Sequence, residues 1–393
     1  MNRVFKVLEG DRAVWLITIF LMLASLLLVY SSIVTLAYKY HSGNTTFYLL
    51  RHGFFLVAGL LIIYGIHKMR YTYLSKLSQL LLFISIPLLL LTLLMGANIN
   101  EASRWLVIPV INQSFQTSDL AKIALILYVA RMLSLKQADI KSFNSAFIPI
   151  VVPIVVVCAL IFPANLSTSA VLFSICLVLM FIGGIPGKYL LGLIGIGVFL
   201  VAFALLIGKV VPELVPRAGT WVKRIENFSQ SDAKGNYQVE QSKIAIAKGG
   251  LVRLAPGKST QRNFLPHPYS DFIYAIVIEE YGFFGGAMIL LLYLTLFFRA
   301  MRIVARKPNS FGALMVIGIA FSLVFQALIN MAVAVNLLPV TGQPLPLVSM
   351  GGTSMWFTCV GIGIILSVSR SLEKENLSDI ENGNNVRNDY AEA

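Results

Sequence analysis

Residues 267–286 read HPYSDFIYAIVIEEYGFFGG, and at Asp271 a polar segment gives way to a long apolar run. If that run crosses a membrane, Asp271 lies where the span meets water. An ionisable residue there is a functional candidate by default, because charge near lipid costs free energy. The alternative is a helix N-cap, since Asp is a favoured capping residue before a helical run. This stretch alone leaves both interpretations open.

The composition predicts an all-α polytopic membrane protein. Hydrophobic residues make up 57% of the 393 residues and charged residues only 12%, whereas about 25% of a soluble domain is charged. A spanning helix needs about 20 mostly apolar residues, and about ten segments meet that requirement. They are residues 13–37, 47–66, 77–96, 117–134, 146–163, 168–184, 188–211, 271–299, 310–334 and 350–369.

The loop charges predict the orientation. Ten spans place both termini on one side, and Lys and Arg are concentrated in the loops on that side, which indicates that the N- and C-termini are cytoplasmic. The long loop 212–270, between spans seven and eight, is then extracytoplasmic. The same rule explains the net charge of +13 without a nucleic-acid partner. The predicted domains are a single transmembrane bundle over 1–370 and a polar, disordered tail over 371–393.

Among the acidic residues, Asp271 alone combines the end of a span with a long polar loop on the outer face. Glu279 and Glu280 lie about two turns further along the same run, near 12 Å at 1.5 Å per residue. The favoured interpretation of both is structural, as buried carboxylates paired with basic side chains or backbone donors.

Two loops could surround Asp271. Loop 212–270 is basic and aromatic, which suits an anionic lipid headgroup, although a solvated surface is the simpler interpretation of any single lysine. Short amphipathic helices are predicted in it around 217–228 and 238–249. Loop 338–354, LPVTGQPLPLVSMGGTS, carries no charge and enters the last span. It either lines a groove or packs tightly through its small residues.

Four blocks spread over most of the sequence are GANINEASRWLVIPVINQSFQTSDLAKIALILYVA (96–130), YQVEQSKIAIAKGG (237–250), LPHPYSDFIYAIVIEEYGFFGG (265–286) and NMAVAVNLLPVTGQPLPLVSMGGTSM (330–355). They resemble blocks of the SEDS family (shape, elongation, division and sporulation) of peptidoglycan polymerases. Within that family, the opening residues 8–33 and the VTGQPLPLVS loop favour the cell-division branch over the elongation branch.

The sequence departs from the family pattern at several positions. Asp119 stands where the family has Glu, which keeps the carboxylate. Asn165 stands where the family has Asp, so a role that needs charge there is in doubt. His267 replaces the Glu that usually follows Pro266, which could reshape the edge of the outer cavity.

The resemblance implies a glycosyltransferase that joins lipid II into glycan strands at the outer face of the cytoplasmic membrane and releases undecaprenyl pyrophosphate. It implies Asp271 as general base, with Mg²⁺ or Mn²⁺ as a possible cofactor near it. The candidate diphosphate-binding residues are Arg104, Lys122, Arg217, Arg224 and Lys248. Further candidate substrate-binding residues are Gln241, Ser242, Ser349, Gly351, Gly352, Thr353 and Ser354.

The implied partners are a class B penicillin-binding protein transpeptidase and other divisome proteins. Three alternatives remain: an elongation polymerase, a lipid II flippase and a non-catalytic scaffold for a transpeptidase. A flippase should show polar residues across the whole bilayer, whereas here the deep polar residues are few: Glu279, Glu280, Gln326 and Asn330.

Overall fold

The computed structural model describes residues 8–41, 43–95, 97–99, 102–108, 113–210, 217–229, 237–253, 255–305 and 310–389. Most of this part is helical, as the apolar composition predicts. Its helices are α1 (Arg12–Ser32), α2 (Val34–His41), α3 (Thr45–Lys68), α4 (Thr72–Met95), α5 (Thr117–Leu135), α6 (Ile148–Ile161), α7 (Leu166–Ile182), α8 (Gly187–Val210), α9 (Ala218–Ser229), α10 (Tyr237–Gly249), α11 (Ile273–Val304), α12 (Phe311–Ala334) and α13 (Thr353–Asp389).

Each of the ten predicted apolar segments contains a helix. Eight helices in the described part are long and apolar enough to cross a membrane by length and composition, when α6 is counted together with the π-helical turn Phe143–Phe147 that precedes it. The other two segments hold α7, which is apolar but has 17 residues, and α5, which carries Asp119, Lys122 and Arg131. The chain is therefore an all-α polytopic membrane protein.

The charged helix α5 lies in the interior of the bundle. Its Ala121, Leu125 and Ala130 are fully buried, and α12 packs beside it with most of its residues buried. Asp119 and Lys122 pair at 3.7 Å, so their charges face protein partners rather than lipid. This arrangement explains why a helix of low hydropathy is central to the bundle.

The two ends of the bundle are marked by contacts between α1 and α11, which run antiparallel. At one end Asp11 accepts a hydrogen bond from Arg299 at 2.6 Å, and at the other Ser31 donates to Glu280. Glu9 and Lys374 also meet at the first end, 3.1 Å apart. Glu9 and Lys374 therefore lie at the same end of the bundle, as an even number of membrane passes requires. Asp271 lies at the opposite end.

The helix α11 is broken at Gly282, where φ is 70° and ψ is −175°. After the break the backbone N–H of Phe283 donates to the Gly250 carbonyl at 2.9 Å. Residues 283–304 rise about 33 Å at 1.5 Å per residue, which is enough to cross the hydrocarbon core. The prediction of one continuous span over 271–299 is therefore wrong in detail, and Glu279 and Glu280 lie in a separate half-helix before the break.

Two features of the connecting segments complete the fold. A small antiparallel sheet, missed by the all-α prediction, joins β1 (Ala97–Ile99), β2 (Ala102–Ile108) and β3 (Gln113–Gln116) ahead of α5. The helices predicted around 217–228 and 238–249 are confirmed as α9 and α10.

The segment predicted to be a disordered tail continues α13 as far as Asp389. Its first turn is tied to the bundle because Lys374 and Arg370 both pair with Glu9, at 3.1 and 3.6 Å. A helix that is already formed through residue 370 needs no new nucleation to continue, which accounts for the difference.

Candidate active site

Asp271 lies two residues before α11 and is half-buried. The N-cap of that helix is Phe272, so the aspartate does not occupy the N-cap position. The Ser270 hydroxyl donates to Asp271 Oδ1 at 2.9 Å. A Cβ added to Gly342, whose φ is +69°, would lie 3.5 Å from Asp271 Oδ2. The carboxylate thus adjoins the backbone of loop 338–354.

Arg224 of α9 supplies a positive charge beside this carboxylate. Burial lowers the pKa of the Arg224 guanidinium from its ordinary value, and the charge of Asp271 opposes that change. The Arg224 Nη1 donates to the Val340 carbonyl at 3.0 Å. A carboxylate that can take a proton and a cation that can stabilise a developing negative charge therefore share one half-buried site.

The uncharged loop that adjoins Asp271 is not helical between residues 337 and 352. Side chains from several helices donate hydrogen bonds to its carbonyls. Such pairing allows irregular backbone to lie inside a membrane protein. The Gln343 carbonyl accepts from Asn330 at 2.7 Å, the Pro344 carbonyl from Gln326 at 2.9 Å, the Pro346 carbonyl from Tyr293, and the Val348 carbonyl from Ser25 at 2.8 Å.

The same loop is joined directly to the segment that carries Asp271. The Ser349 hydroxyl donates to the Ser270 carbonyl at 2.7 Å, and the Met350 N–H donates to the Tyr269 carbonyl at 2.9 Å. Asn330 also donates to the Asp271 carbonyl at 2.8 Å. The backbone on both sides of the carboxylate is therefore fixed before any substrate arrives, as a preorganised site requires.

Of the predicted site residues, the structure brings Asp271, Arg224 and Ser349 together. Lys122 hydrogen-bonds to a residue that holds the loop rather than to the loop itself. Lys122 donates to Gln326 at 3.0 Å, and Gln326 in turn holds the loop. The Arg104 side chain lies outside the described part of the chain, within a strand whose backbone is described.

The remaining predicted residues make contacts away from the carboxylate. Arg217 donates to the Ala164 carbonyl, and exposed Lys248 donates to Thr260 at 2.9 Å. Ser242 fastens α10 to the Ala334 carbonyl at 2.7 Å, and Gln241 is half-buried beside it. The last predicted residues lie just before and at the start of α13, where Thr353 donates to the Ser114 carbonyl at 3.0 Å. They are Gly351, Gly352, Thr353 and Ser354.

The structural interpretation of Glu279 and Glu280 is confirmed by their hydrogen bonds. Glu279 Oε1 accepts from the N–H and the hydroxyl of Thr260, each at 3.0 Å, and Glu279 Oε2 accepts from the Ser259 hydroxyl. Glu280 Oε1 accepts from the Ser259 N–H at 3.2 Å. The two carboxylates hold the end of the long loop against α11.

Asn165, which replaces a family aspartate, caps α7. Its Oδ1 accepts from the Thr168 N–H at 3.3 Å, and the Thr168 hydroxyl accepts from Gln343 of the loop at 2.7 Å. A neutral amide oxygen performs this capping role as well as a carboxylate does, so the local structure does not require the missing charge.

Sequence reasoning missed the residues that position the loop: Ser25, Thr168, Tyr293 and Gln343, together with His52 behind Ser25. The only available signal was a polar or aromatic side chain inside an apolar segment, which Gln326 and Asn330 also give. In the described part, no group of three or more His, Cys, Asp or Glu side chains could hold a metal ion. The residues present therefore fit a cation only if substrate oxygens complete its ligands.

Comparison with known proteins identifies the family. The family model of FtsW, RodA and SpoVE, described as a cell cycle protein, matches residues 11–374. The chain is 34% identical over 375 residues to stage V sporulation protein E of Bacillus subtilis, covering 93% of this chain and 98% of that protein. It is 30% identical over 381 residues to the probable peptidoglycan glycosyltransferase FtsW of Trichlorobacter lovleyi, covering 95% and 96%.

A solved structure agrees with these relatives. One chain of a peptidoglycan synthase complex, studied for its coordination of polymerization and crosslinking, matches with a TM-score of 0.69 at 26% identity. The match covers 92% of this chain and 98% of that chain. The expectation drawn from the four sequence blocks is thus confirmed, and the chain belongs to the FtsW, RodA and SpoVE family, which is the SEDS family.

Proposed function

We infer that this chain is a peptidoglycan glycosyltransferase, and we propose that it polymerises lipid II during cell division. The named FtsW relative supports the activity, and the description of the family model as a cell cycle protein supports a role in division. The observation that carries the assignment is the half-buried Asp271 carboxylate beside Arg224.

In the proposed reaction Asp271 takes the proton of the acceptor 4-hydroxyl. That oxygen then attacks C1 of the donor disaccharide while the bond from C1 to the diphosphate oxygen breaks. Undecaprenyl pyrophosphate leaves with the bonding electron pair, and Arg224 stabilises the charge that develops on it. The hydrogen bonds from Asn330 and Ser349 keep the carboxylate segment in place during this step.

Asp271 is the residue that would hold a divalent cation, Mg²⁺ or Mn²⁺, if one takes part in the reaction. Mg²⁺ is commonly held by one or two carboxylates together with substrate phosphates, and when bound it would neutralise leaving-group charge. The proton transfer to Asp271 does not depend on it.

The proposed location is the bacterial cytoplasmic membrane, with both termini in the cytoplasm and Asp271 at the outer face. The support is the concentration of Lys and Arg in the loops at the Glu9 end of the bundle. The proposed partner is a class B penicillin-binding protein transpeptidase, within a larger set of division proteins. The match to a chain from a polymerizing and crosslinking complex supports such a partner.

The test is polymerisation of lipid II by the purified chain with its transpeptidase partner, with and without Mg²⁺ or Mn²⁺. We expect glycan strands from wild type and from Asp139→Asn, a control at an exposed aspartate, but not from Asp271→Asn. Arg224→Met should retain less than about a tenth of the activity, since removing one oxyanion-stabilising donor costs about a hundredfold or more.

The outcomes separate the rival functions. Full activity of a folded Asp271→Asn variant would show that Asp271 is not the general base. Movement of lipid II across vesicles without polymer would identify a flippase. If the partner forms the same amount of polymer without this chain, the chain is a scaffold rather than the polymerase.

A further inference from the structure

Two polar residues are buried in the bundle away from the carboxylate. Ser25 of α1 is fully buried and His52 of α3 is 1% exposed. The Ser25 Oγ lies 2.9 Å from His52 Nε2 and 2.8 Å from the Val348 carbonyl oxygen. Polar groups inside a membrane bundle are costly unless paired, and this pair reaches the loop that adjoins Asp271.

The chemistry of the three groups fixes the direction of the hydrogen bonds. A carbonyl oxygen only accepts, so the single hydroxyl proton of Ser25 is donated to Val348. The Ser25 oxygen must then accept its other hydrogen bond from a proton on His52 Nε2. The chain therefore runs from His52 through Ser25 to the Val348 carbonyl, and it assigns the Nε2–H tautomer to His52.

The Val348 carbonyl lies next to a strained position. Leu347 has a φ of +62°, a left-handed conformation that a side chain other than glycine rarely adopts and that persists only when its surroundings hold it. The carbonyls on both sides of Leu347 are held, Pro346 by Tyr293 and Val348 by Ser25. Ser349 follows immediately and donates to the Ser270 carbonyl at 2.7 Å.

We propose that His52, acting through Ser25, is a positioning residue for the glycosyl transfer. It holds the strained turn at Leu347, and the turn places Ser349 against the residue that precedes Asp271. This role rests on the proposed function of Asp271. A purely structural role for the pair predicts a loss of stability without a change in the turnover of the folded enzyme.

The substitutions separate hydrogen bonding from packing. His52→Gln keeps an N–H donor near the position of Nε2, whereas His52→Leu has similar bulk and no donor. Ser25→Ala removes the hydroxyl that bridges His52 to the loop. Ser32→Ala is the matched control, because Ser32 is also fully buried on α1 but donates to carbonyls of its own helix at 2.8 and 3.3 Å.

The measurement is steady-state polymerisation of lipid II by each variant with its partner, together with the thermal unfolding midpoint. We expect His52→Leu and Ser25→Ala to lower kcat about tenfold to a hundredfold, since a displacement of about 1 Å costs that much, with KM within about twofold. His52→Gln and Ser32→Ala should stay within about threefold of wild-type kcat.

Wild-type kcat in folded His52→Leu, or an equal loss in His52→Gln, would overturn the proposal. If His52→Leu does not fold, the comparison of Ser25→Ala with Ser32→Ala decides the same question. Asp271→Asn is measured in parallel, and its full activity would overturn the role of Asp271. The positioning role of His52 is judged separately, by the difference in kcat between His52→Gln and His52→Leu.

Discussion

Asn330 donates its side-chain amide to the backbone carbonyl of Asp271 at 2.8 Å. The same nitrogen donates to the Gln343 carbonyl at 2.7 Å, and Asn330 is 1% exposed. One buried amide therefore joins the candidate base to the irregular loop beside it. Asn330 therefore adds a link through α12 to the direct bonds that the loop makes to the Asp271 segment.

Replacing Asn330 by Leu should impair both folding and turnover. Leu has a similar volume but no donor, so the buried Gln343 carbonyl and the half-buried Asp271 carbonyl lose their partner, at a cost of about 1–3 kcal/mol each. We expect a lower unfolding temperature and at least about a tenfold fall in kcat in the folded fraction. Ser322→Ala on the same helix is the control, since within the described residues Ser322 makes no hydrogen bond to the loop. Wild-type kcat in Asn330→Leu would contradict this prediction.

The break in α11 makes a prediction about Gly282. In Gly282→Ala the added Cβ would lie 2.7 Å from the Leu251 carbonyl oxygen, in a backbone conformation that is essentially restricted to glycine and costs another residue about 1–3 kcal/mol. Thermal unfolding should therefore show clear destabilisation. Gly192→Ala is the control, because nothing lies within 4 Å of its added Cβ and alanine favours a helix interior by about 0.5–1 kcal/mol. Equal unfolding temperatures for the two variants would exclude the break.

The cluster at the Glu9 end predicts a dependence of stability on pH. A hydrogen bond from Lys374 lowers the pKa of the Glu9 carboxyl, burial opposes this, and the charges of Lys68 and Arg370 lower it further. Because the folded pKa is below the unfolded value, the stabilisation is present above the unfolded pKa and is lost as the pH falls through the folded pKa.

Glu9→Gln should therefore unfold at a lower temperature than wild type at neutral pH, and the difference should vanish in acid. The Glu9 side chain is 33% exposed, so the effect at neutral pH should stay below about 1 kcal/mol. Glu240→Gln, at an exposed position of α10, is the control and should unfold at the wild-type temperature at neutral pH. A difference that persists in acid would mean that Glu9 acts through packing rather than charge.

Sequence reasoning located the helices because hydropathy reports how a local segment is solvated. All ten apolar segments contain helices, and Asp271 lies at the entrance of one of them. The break at Gly282 was missed because a glycine within an apolar run looks the same whether the helix continues or stops. The small sheet before α5 was missed because its strands are short and lie between two membrane segments.

The support of the site was harder to predict than its position. Ser25 reaches a carbonyl 323 residues away, and Gln343 reaches Thr168 across 175 residues. Composition and periodicity indicate that such a side chain is buried, but they do not indicate which carbonyl it meets. Only the packing of α1, α3, α7, α11 and α12 around the loop determines those pairs.

The last prediction concerns Glu279, which holds the end of the long loop. Its carboxylate accepts from the Thr260 N–H and hydroxyl, each at 3.0 Å, and from the Ser259 hydroxyl. Arg262 follows in the same loop, and its guanidinium donates to the Ser31 carbonyl at 2.8 Å. Glu279→Ala removes the acceptor of the bonds from Thr260 and from the Ser259 hydroxyl, so these donors lose their partner.

The expected result is that trypsin cleaves Glu279→Ala after Arg262 much faster than it cleaves wild type, because the loop opens locally without global unfolding. Mass spectrometry of the fragments locates the cut. Glu240→Ala, at an exposed position of α10, is the matched control and should be cleaved there at the wild-type rate. If Arg262 is equally protected in Glu279→Ala, the loop is held by Glu280 and Ser31 instead, since Glu280 still accepts from the Ser259 N–H at 3.2 Å.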